Sequence, residues 1–503
     1  LNSPGSSQAR KSQGRLAELE KAGINALPYN PEELLRRTAT LYAQNEFALA
    51  MQTLQAIPLE GQPETFIARV DLRAGLIRYR QRKYKEAEKH LTRATAATVP
   101  GVRSEARFWL AKCLERLEQH ERALTLYQEL AGEGKRQEFA DDATMEAAGM
   151  RKSLGNYTEA ARIYEQLPKL FPDSRFIARS AWELAWCRYL AGEYATAALS
   201  FKALLKDETV REKATYWLAR TLESSGSSDA ANWYRTLQDD YPSGFYATWH
   251  REQRGLKDQR ESLGRRNALA ELPQISGFEK SRLLASLGML EESRNEITAA
   301  RKKLGEKNAP FPGMARLYLE NSDYGSAINL FLQNRPVKWD SVSLPLWTAG
   351  YPLVFNETVS RYSSSNQLSE AMVFALIRAE SAFSPAVRSH AGAVGLMQLM
   401  PDTAKATARE KGIFNPLRLT IPEYNIKLGT KHLRELLKGY DGDAIYAIAA
   451  YNAGAAAVER WRKNMKGLKK DEFIENIPYQ ETRDYVKKVY ASAAIYRQLY
   501  GLK

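Results

Sequence analysis

An aromatic residue or histidine followed three positions later by alanine recurs through the first half of the chain: Phe47/Ala50, Tyr84/Ala87, His120/Ala123, Tyr157/Ala160 and Tyr194/Ala197. The steps between the alanines are 37, 36, 37 and 37 residues. Each pair opens a helical phrase, such as "GNYTEAARIYEQL", and is preceded by another, such as "ARFWLAKCLERL". A fixed period of this size, filled by two helical phrases, predicts helical hairpins stacked into an α-solenoid, because one hairpin cannot bury its apolar face alone. The small alanine lets neighbouring helices approach and the aromatic fills the adjacent gap. A weaker unit follows near Ala231, and "SDYGSAINLF" (322–331) reads similarly.

The period places the array close to the tetratricopeptide class, a TPR-like superhelix over residues 30–250, with a flexible segment at 1–29. It also constrains the two cysteines. Cys113 and Cys187 each lie ten residues before their repeat's alanine, where other units carry Thr40, Ile77 and Met150. They therefore occupy one core position two repeats apart. With helices packed about 8–10 Å apart, their separation is roughly 20 Å, beyond the roughly 7 Å reach of a disulfide. Two buried free thiols are expected, and they say nothing about the redox compartment.

The 503 residues exceed one ordinary domain. No run of eighteen or more apolar residues suggests a transmembrane segment. The chain begins at Leu1 rather than Met, which is compatible with a removed leader, although the remaining residues show none. A formal charge of +14 favours a polyanionic partner, which could be nucleic acid, an acidic lipid surface or an acidic polymer. Lys and Arg are scattered at helical spacing, however, so an ordinary solvated surface explains them too. The five histidines show no HExxH spacing, there is no phosphate-binding loop, and the cysteines cannot build a zinc site, so no metal or cofactor is expected.

After "YPSGFYATWHREQRG" (241–255) the regular array ends, and 251–350 read as short helices forming a linker domain. A new domain, 351–503, begins near the polar lead-in "RYSSSNQLS", with Ser369 as N-cap of an apolar helix over 370–383 that Pro385 cuts short. Glu380 falls in its last turn, where the negative end of the helix dipole and burial by Phe383 and Met397 would both raise its pKa. A carboxyl group held protonated near neutrality is suited to general acid catalysis. An isolated Glu at a helix end can equally point to solvent. The segments that follow decide between these: "GAVGLMQLMPDTA" (392–404), "AIAAYNAGAAAVERW" (447–461) and "NIPYQETRDYVKKV" (476–489).

Glu380-Ser381, then Gly395 to Pro401, Ala450 to Gly454 and Glu481 to Val486 resemble, in this order, the four motifs of the soluble lytic murein transglycosylases. "SGFYATW" resembles the segment near the end of that family's superhelix. The resemblance implies an all-α chain in which superhelix, linker and a goose-lysozyme-like domain close into a ring. It implies cleavage of the β-1,4 bond between N-acetylmuramic acid and N-acetylglucosamine in peptidoglycan strands, with a 1,6-anhydromuramyl product and no added water. Glu380 would be acid and then base. Most glycosidases use two flanking carboxylates; here the sugar's own 6-hydroxyl attacks, at high effective concentration. By the same resemblance Ser389 and Gln398 bond the sugars or the reacting centre, Met400 and Thr403 line the groove, and Tyr451 sits close enough to bond the acid or the substrate. Asn452 holds its loop and Glu481 shapes the site. A periplasmic location follows from that substrate; a monomer is expected, with peptidoglycan and cell-wall synthesis or assembly proteins on the superhelix as partners and no nucleic acid. Two other readings share the residues: a hydrolytic lysozyme-type muramidase and a non-catalytic repeat scaffold.

Overall fold

In each of the five repeats the aromatic or histidine is the first residue of the second helix of a hairpin: Phe47–Gln55, Tyr84–Ala94, His120–Gly132, Tyr157–Leu170 and Tyr194–Leu204. The alanine one turn later is fully buried every time. The turn before it is also repeated. Two residues ahead of the aromatic the backbone is left-handed, at Asn45, Arg82, Glu118, Gly155 and Gly192, with φ between 60° and 80°. The next N–H then donates to the carbonyl five residues back at 2.9 Å, as Lys83 does to Arg78 and Asn156 to Arg151. This is a Schellman closure, which caps the carbonyls of the first helix and reverses the chain. Only two of the five turns use glycine, so the other three hold an L-residue in a disfavoured conformation.

Cys113 and Cys187 are buried and free, as the repeat requires. They lie in separate core clusters, and Cys113 Sγ donates to the Tyr84 carbonyl at 3.0 Å. Burial pushes both thiols up to about 12.

The computed structural model describes residues 8, 11, 12, 14, 15, 18, 21, 22 and 29–502, apart from 135–137, 259, 261, 265–267, 306–308, 337–338 and 411–413. Most of the expected flexible segment 1–29 lies outside the described residues. The chain divides into two compact units, Leu1–Thr236 and Leu237–Lys503. The described residues form helices and no strand beyond isolated bridges, and none of these helices is long and apolar enough to cross a membrane.

The second unit holds every candidate site residue. The helices that build the site are α1 (Phe245–Gln253), α2 (Glu370–Ser381), α3 (Pro401–Ala408), α4 (Pro422–Gly439), α5 (Ala444–Ala453), α6 (Lys470–Asn476) and α7 (Gln480–Tyr500). From Val373 to Arg378 every residue of α2 is buried, which marks a core helix rather than a surface one. Against it packs α7, through Val486, Val489, Tyr496 and Leu499 among others. The Phe374 and Tyr496 rings stack with centroids 5.4 Å apart. At the far end of α7, Tyr500 donates to the Tyr351 carbonyl at 2.7 Å. Glu380 on α2 and Tyr485 on α7 are thereby brought face to face across 105 residues of sequence.

Candidate active site

Helix α2 starts as its sequence predicts, with the Ser369 side chain accepting from the Met372 N–H. It ends earlier than predicted, at Ser381 rather than 383, and by a different device. Ala382 and Phe383 are both left-handed, at φ 47° and 64°, so the chain has already turned before Pro385. Phe383 is held there by burial: it is 1% exposed and its ring packs near Phe374 and Tyr324. Consecutive non-glycine residues in this region are costly and persist only where the surroundings fix them. Glu380 is thus the penultimate residue of α2, at the negative end of the helix dipole.

The Tyr485 hydroxyl donates to Glu380 Oε1 at 2.5 Å. Burial is the largest influence on this carboxyl group and raises its pKa to about 7. The Tyr485 hydrogen bond and the Lys488 ammonium oppose that rise, and the Glu481 carboxylate adds to it. Glu481, Tyr485 and Lys488 are spaced i, i+4 and i+7 on α7, so they form one stripe facing the acid. Tyr451 on α5 completes the surroundings. Burial first, and then the charge of Glu380, push the phenols of Tyr451 and Tyr485 well above their ordinary range, so both remain hydrogen-bond donors.

Tyr451 does not bond the acid. Its hydroxyl donates to the Met397 carbonyl at 2.8 Å, and the partner of Glu380 is Tyr485. The reason lies in the loop between α2 and α3, which folds as a small antiparallel turn with bridges Arg388–Val394 and Val394–Leu399. Asn425 of α4 is buried beneath it. Its Oδ1 accepts from the Met397 N–H at 2.8 Å, and its Nδ2 donates to the carbonyls of Val394 and Leu419. Gly395, at φ +83°, passes so close that a Cβ would stand 2.2 Å from the Leu419 carbonyl oxygen. The Met397 side chain seats on Gly429 in the same way. Met397 is therefore pinned by Asn425 through its amide and by Tyr451 through its carbonyl.

The other candidate residues divide between this loop and its rim. Gln398 is left-handed (φ 45°), and its Nε2 donates to the carbonyls of Val387 and Gly395, which commits both amide hydrogens and leaves the side-chain oxygen as the group able to accept from a substrate. Ser389 is exposed, with its hydroxyl accepting from the Ala393 N–H. Met400 is 41% exposed at the N-terminus of α3, and Thr403 is half-buried in its first turn. Asn452 accepts from the Thr482 hydroxyl at 2.6 Å, joining α5 to α7. Glu481 is exposed in the first turn of α7.

Sequence reasoning missed Tyr485 as the partner of the acid, Asn425 as the anchor of the loop, and Lys488. Tyr485 lay inside a quoted motif, and a tyrosine four residues after Glu481 shares its helix face. Asn425 offered a fainter signal, an amide between Tyr424 and Ile426 on the buried side of α4.

The family model of the transglycosylase SLT domain matches residues 357–474, that of the soluble lytic transglycosylase helical domain matches 476–503, and that of the tetratricopeptide repeat matches 72–142 and 151–209. The soluble lytic murein transglycosylase of Escherichia coli K12 is 40% identical over 157 residues, 30% of this chain and 24% of that protein. A putative soluble lytic murein transglycosylase of Haemophilus influenzae is 40% identical over 170 residues, 32% of this chain and 27% of the other. The chain thus matches about a quarter of the length of these relatives. Among solved structures, an inactive mutant of the lytic transglycosylase Slt from Pseudomonas aeruginosa superposes with a TM-score of 0.66 at 23% identity, covering 98% of this chain and 76% of that one. A 70-kDa soluble lytic transglycosylase in complex with bulgecin A gives 0.61 at 20% identity, covering 98% and 75%. At these identities the likeness is one of fold.

Proposed function

From the match of residues 357–474 to the transglycosylase SLT domain, we propose a lytic transglycosylase that cleaves the β-1,4 bond between N-acetylmuramic acid and N-acetylglucosamine in peptidoglycan. The observation that carries the reading is Glu380: a largely buried carboxyl group, raised to about 7, whose Oε1 is occupied by Tyr485. With Oε1 engaged, Oε2 is the oxygen that bears the proton. In this reading Oε2 donates it to the glycosidic oxygen as the C1–O4 bond breaks. The muramyl 6-hydroxyl then bonds to C1 and its proton returns to Oε2, so one carboxyl group serves both steps and is regenerated. No water is consumed.

Most glycosidases pair the acid with a second, nucleophilic or basic carboxylate. Here the carboxylate that acts on Glu380 is Glu481, exposed in the first turn of α7, and its effect is to hold the proton on Glu380. Ser389, Gln398, Met400 and Thr403 line the substrate groove in this reading, with Gln398 offering its side-chain oxygen, while Tyr451 and Asn452 hold its walls. Residues 30–250 present the helical superhelix, 251–350 a linker domain and 351–503 the catalytic domain. The enzyme would act as a monomer in the periplasm, with the repeats free to dock other cell-wall proteins.

Mass spectrometry of the products released from purified sacculi tests the reading. The expected products end in 1,6-anhydromuramic acid, and Glu380→Gln abolishes their release. Products heavier by one water, ending in reducing muramic acid, would make the protein a hydrolase. No release by the wild type would return it to the class of scaffolds.

A further inference from the structure

Helix α1, the "FYATW" segment, lies more than a hundred residues before the acid, yet it is bound to α7 more heavily than a connector needs to be. The Tyr246 hydroxyl donates to Glu475 Oε1 on α6. The Lys487 ammonium on α7 donates to that same oxygen and to the Tyr246 hydroxyl, both at 2.7 Å. Tyr246 and Glu475 are buried and Lys487 is partly so, with the side chains of Glu475 and Lys487 2% and 13% exposed. The Lys487 ammonium also stands 5.0 Å from the centre of the Tyr246 ring. Around the triad, Phe245 and Trp249 pack on Tyr490, the Tyr490 hydroxyl donates to Glu252, and Arg497 pairs with Glu252 at 2.5 Å. A little further on, the Leu263 N–H donates to the Leu499 carbonyl.

The positions on α7 give this contact a direction. Tyr485 and Lys487 are two residues apart, about 200° around a helix of 3.6 residues per turn. They leave nearly opposite faces: Tyr485 reaches Glu380 on α2, and Lys487 reaches Tyr246 on α1 and Glu475 on α6. A tyrosine hydroxyl stands roughly 8 Å from its helix axis, so turning α7 by only about 10° would carry it about 1.4 Å, enough to lose a short hydrogen bond. Beyond the apolar packing between α2 and α7, an ion pair closed by a hydroxyl resists such a rotation, because a slip strands the buried Glu475 charge away from water. The residue that loses its partner on a slip is the one that orients the acid.

We propose that Tyr246, Glu475 and Lys487 are positioning residues for the catalytic acid: they lock the rotation of α7 so that the Tyr485 hydroxyl is held on Glu380 Oε1. The inference rests on the catalytic reading of Glu380. It also makes α1 a functional part of the active site, so the smallest competent unit begins before residue 245 and not at 351.

The test uses the full-length chain and the mild substitution Tyr246→Phe, which removes one oxygen and keeps the ring, alongside Tyr485→Phe and the double variant. Losing the Tyr485 hydrogen bond favours the protonated carboxyl group. Tyr246→Phe is therefore expected to move the alkaline limb of the kcat/KM profile to higher pH in the same direction as Tyr485→Phe, and to lower kcat about ten- to a hundredfold with KM within about twofold. In the double variant the pH limb should sit where Tyr485→Phe alone puts it. Lys487→Arg, which keeps the charge, should restore most of kcat relative to Lys487→Met. A Tyr246→Phe enzyme that melts earlier but keeps the wild-type pH limb, or a double variant whose shifts add, would overturn the proposal in favour of plain structural support. Following the Glu380 carboxyl group directly, as the infrared difference between each protein and its Glu380→Gln form, separates this failure from that of the catalytic reading. The titration moves with Tyr246→Phe if the proposal holds, whatever the products are, and a wild type that releases no anhydro product condemns only the catalytic reading.

Discussion

Glu380→Gln should make the protein more stable, and only at high pH. In the folded chain the carboxyl group titrates at about 7, against 4.5 for an unperturbed Glu. A group whose folded pKa is raised contributes stability fully below the unfolded value and loses it as pH rises through the folded one. Between pH 4.5 and about 7 the folded state holds a proton that the unfolded chain has released, so stability falls across that window and is flat above it. The interval, at about 1.36 kcal/mol per pH unit, comes to about 3 kcal/mol that the wild type lacks at pH 8. Glutamine carries no charge to desolvate, and its side-chain oxygen can still accept from Tyr485, so the variant escapes the loss. For a unit the size of Leu237–Lys503, about 3 kcal/mol corresponds to roughly 5–10 °C in Tm. The measurement is paired thermal melts of wild type and variant from pH 4 to 9, read on the transition of the second unit. The variant's advantage should be near zero at pH 4, grow through pH 5–7 and level off above 8. A difference that does not change with pH would mean that Glu380 titrates like a surface carboxylate, and the argument from burial would fail.

Turnover should follow the same proton in the other sense, falling tenfold per pH unit above about 7 as Glu380 ionises; a rate that stays flat to pH 9 would exclude protonation by this residue. Asn425→Ala removes three buried hydrogen bonds beneath the loop, and should cost about 3 kcal/mol or more in denaturant unfolding while lowering activity through a displaced Gln398. Arg82→Gly and Glu118→Gly, at exposed left-handed turn positions, should each raise stability by up to about 1 kcal/mol, whereas alanine at either site should not. A thiol reagent at pH 8 should find neither Cys113 nor Cys187 in the native chain and both after denaturation, since burial has raised both thiols.

What could be read from the sequence was whatever the chain writes locally. The hairpin period is local, so it placed the aromatic at each second helix and predicted two unpaired cysteines at one repeated position. The Schellman turns were only half legible, because glycine marks a left-handed residue at 155 and 192 and nothing marks it at 45, 82 and 118. Glu380 is legible in the last turn of its helix, but the stop that the sequence displays is Pro385. The strained pair Ala382–Phe383 does so through burial of a side chain, which no pairwise propensity reveals. The identity of the acid's partner was out of reach for a different reason. Tyr451 and Tyr485 are both tyrosines in quoted motifs, and which of them meets the carboxyl group depends on where Asn425 draws the Met397 carbonyl.

The identical closure of every hairpin makes the first unit editable in whole steps. Excising residues 120–156 would join Gln119 to Tyr157, leaving a left-handed residue, one spacer and an aromatic helix start in the same order as at every other junction. Each fully buried alanine would meet a neighbour of the kind it already has. Over evolutionary time such an array can gain or lose whole hairpins by unequal recombination, each deletion or insertion leaving the turn chemistry of the remaining junctions unchanged.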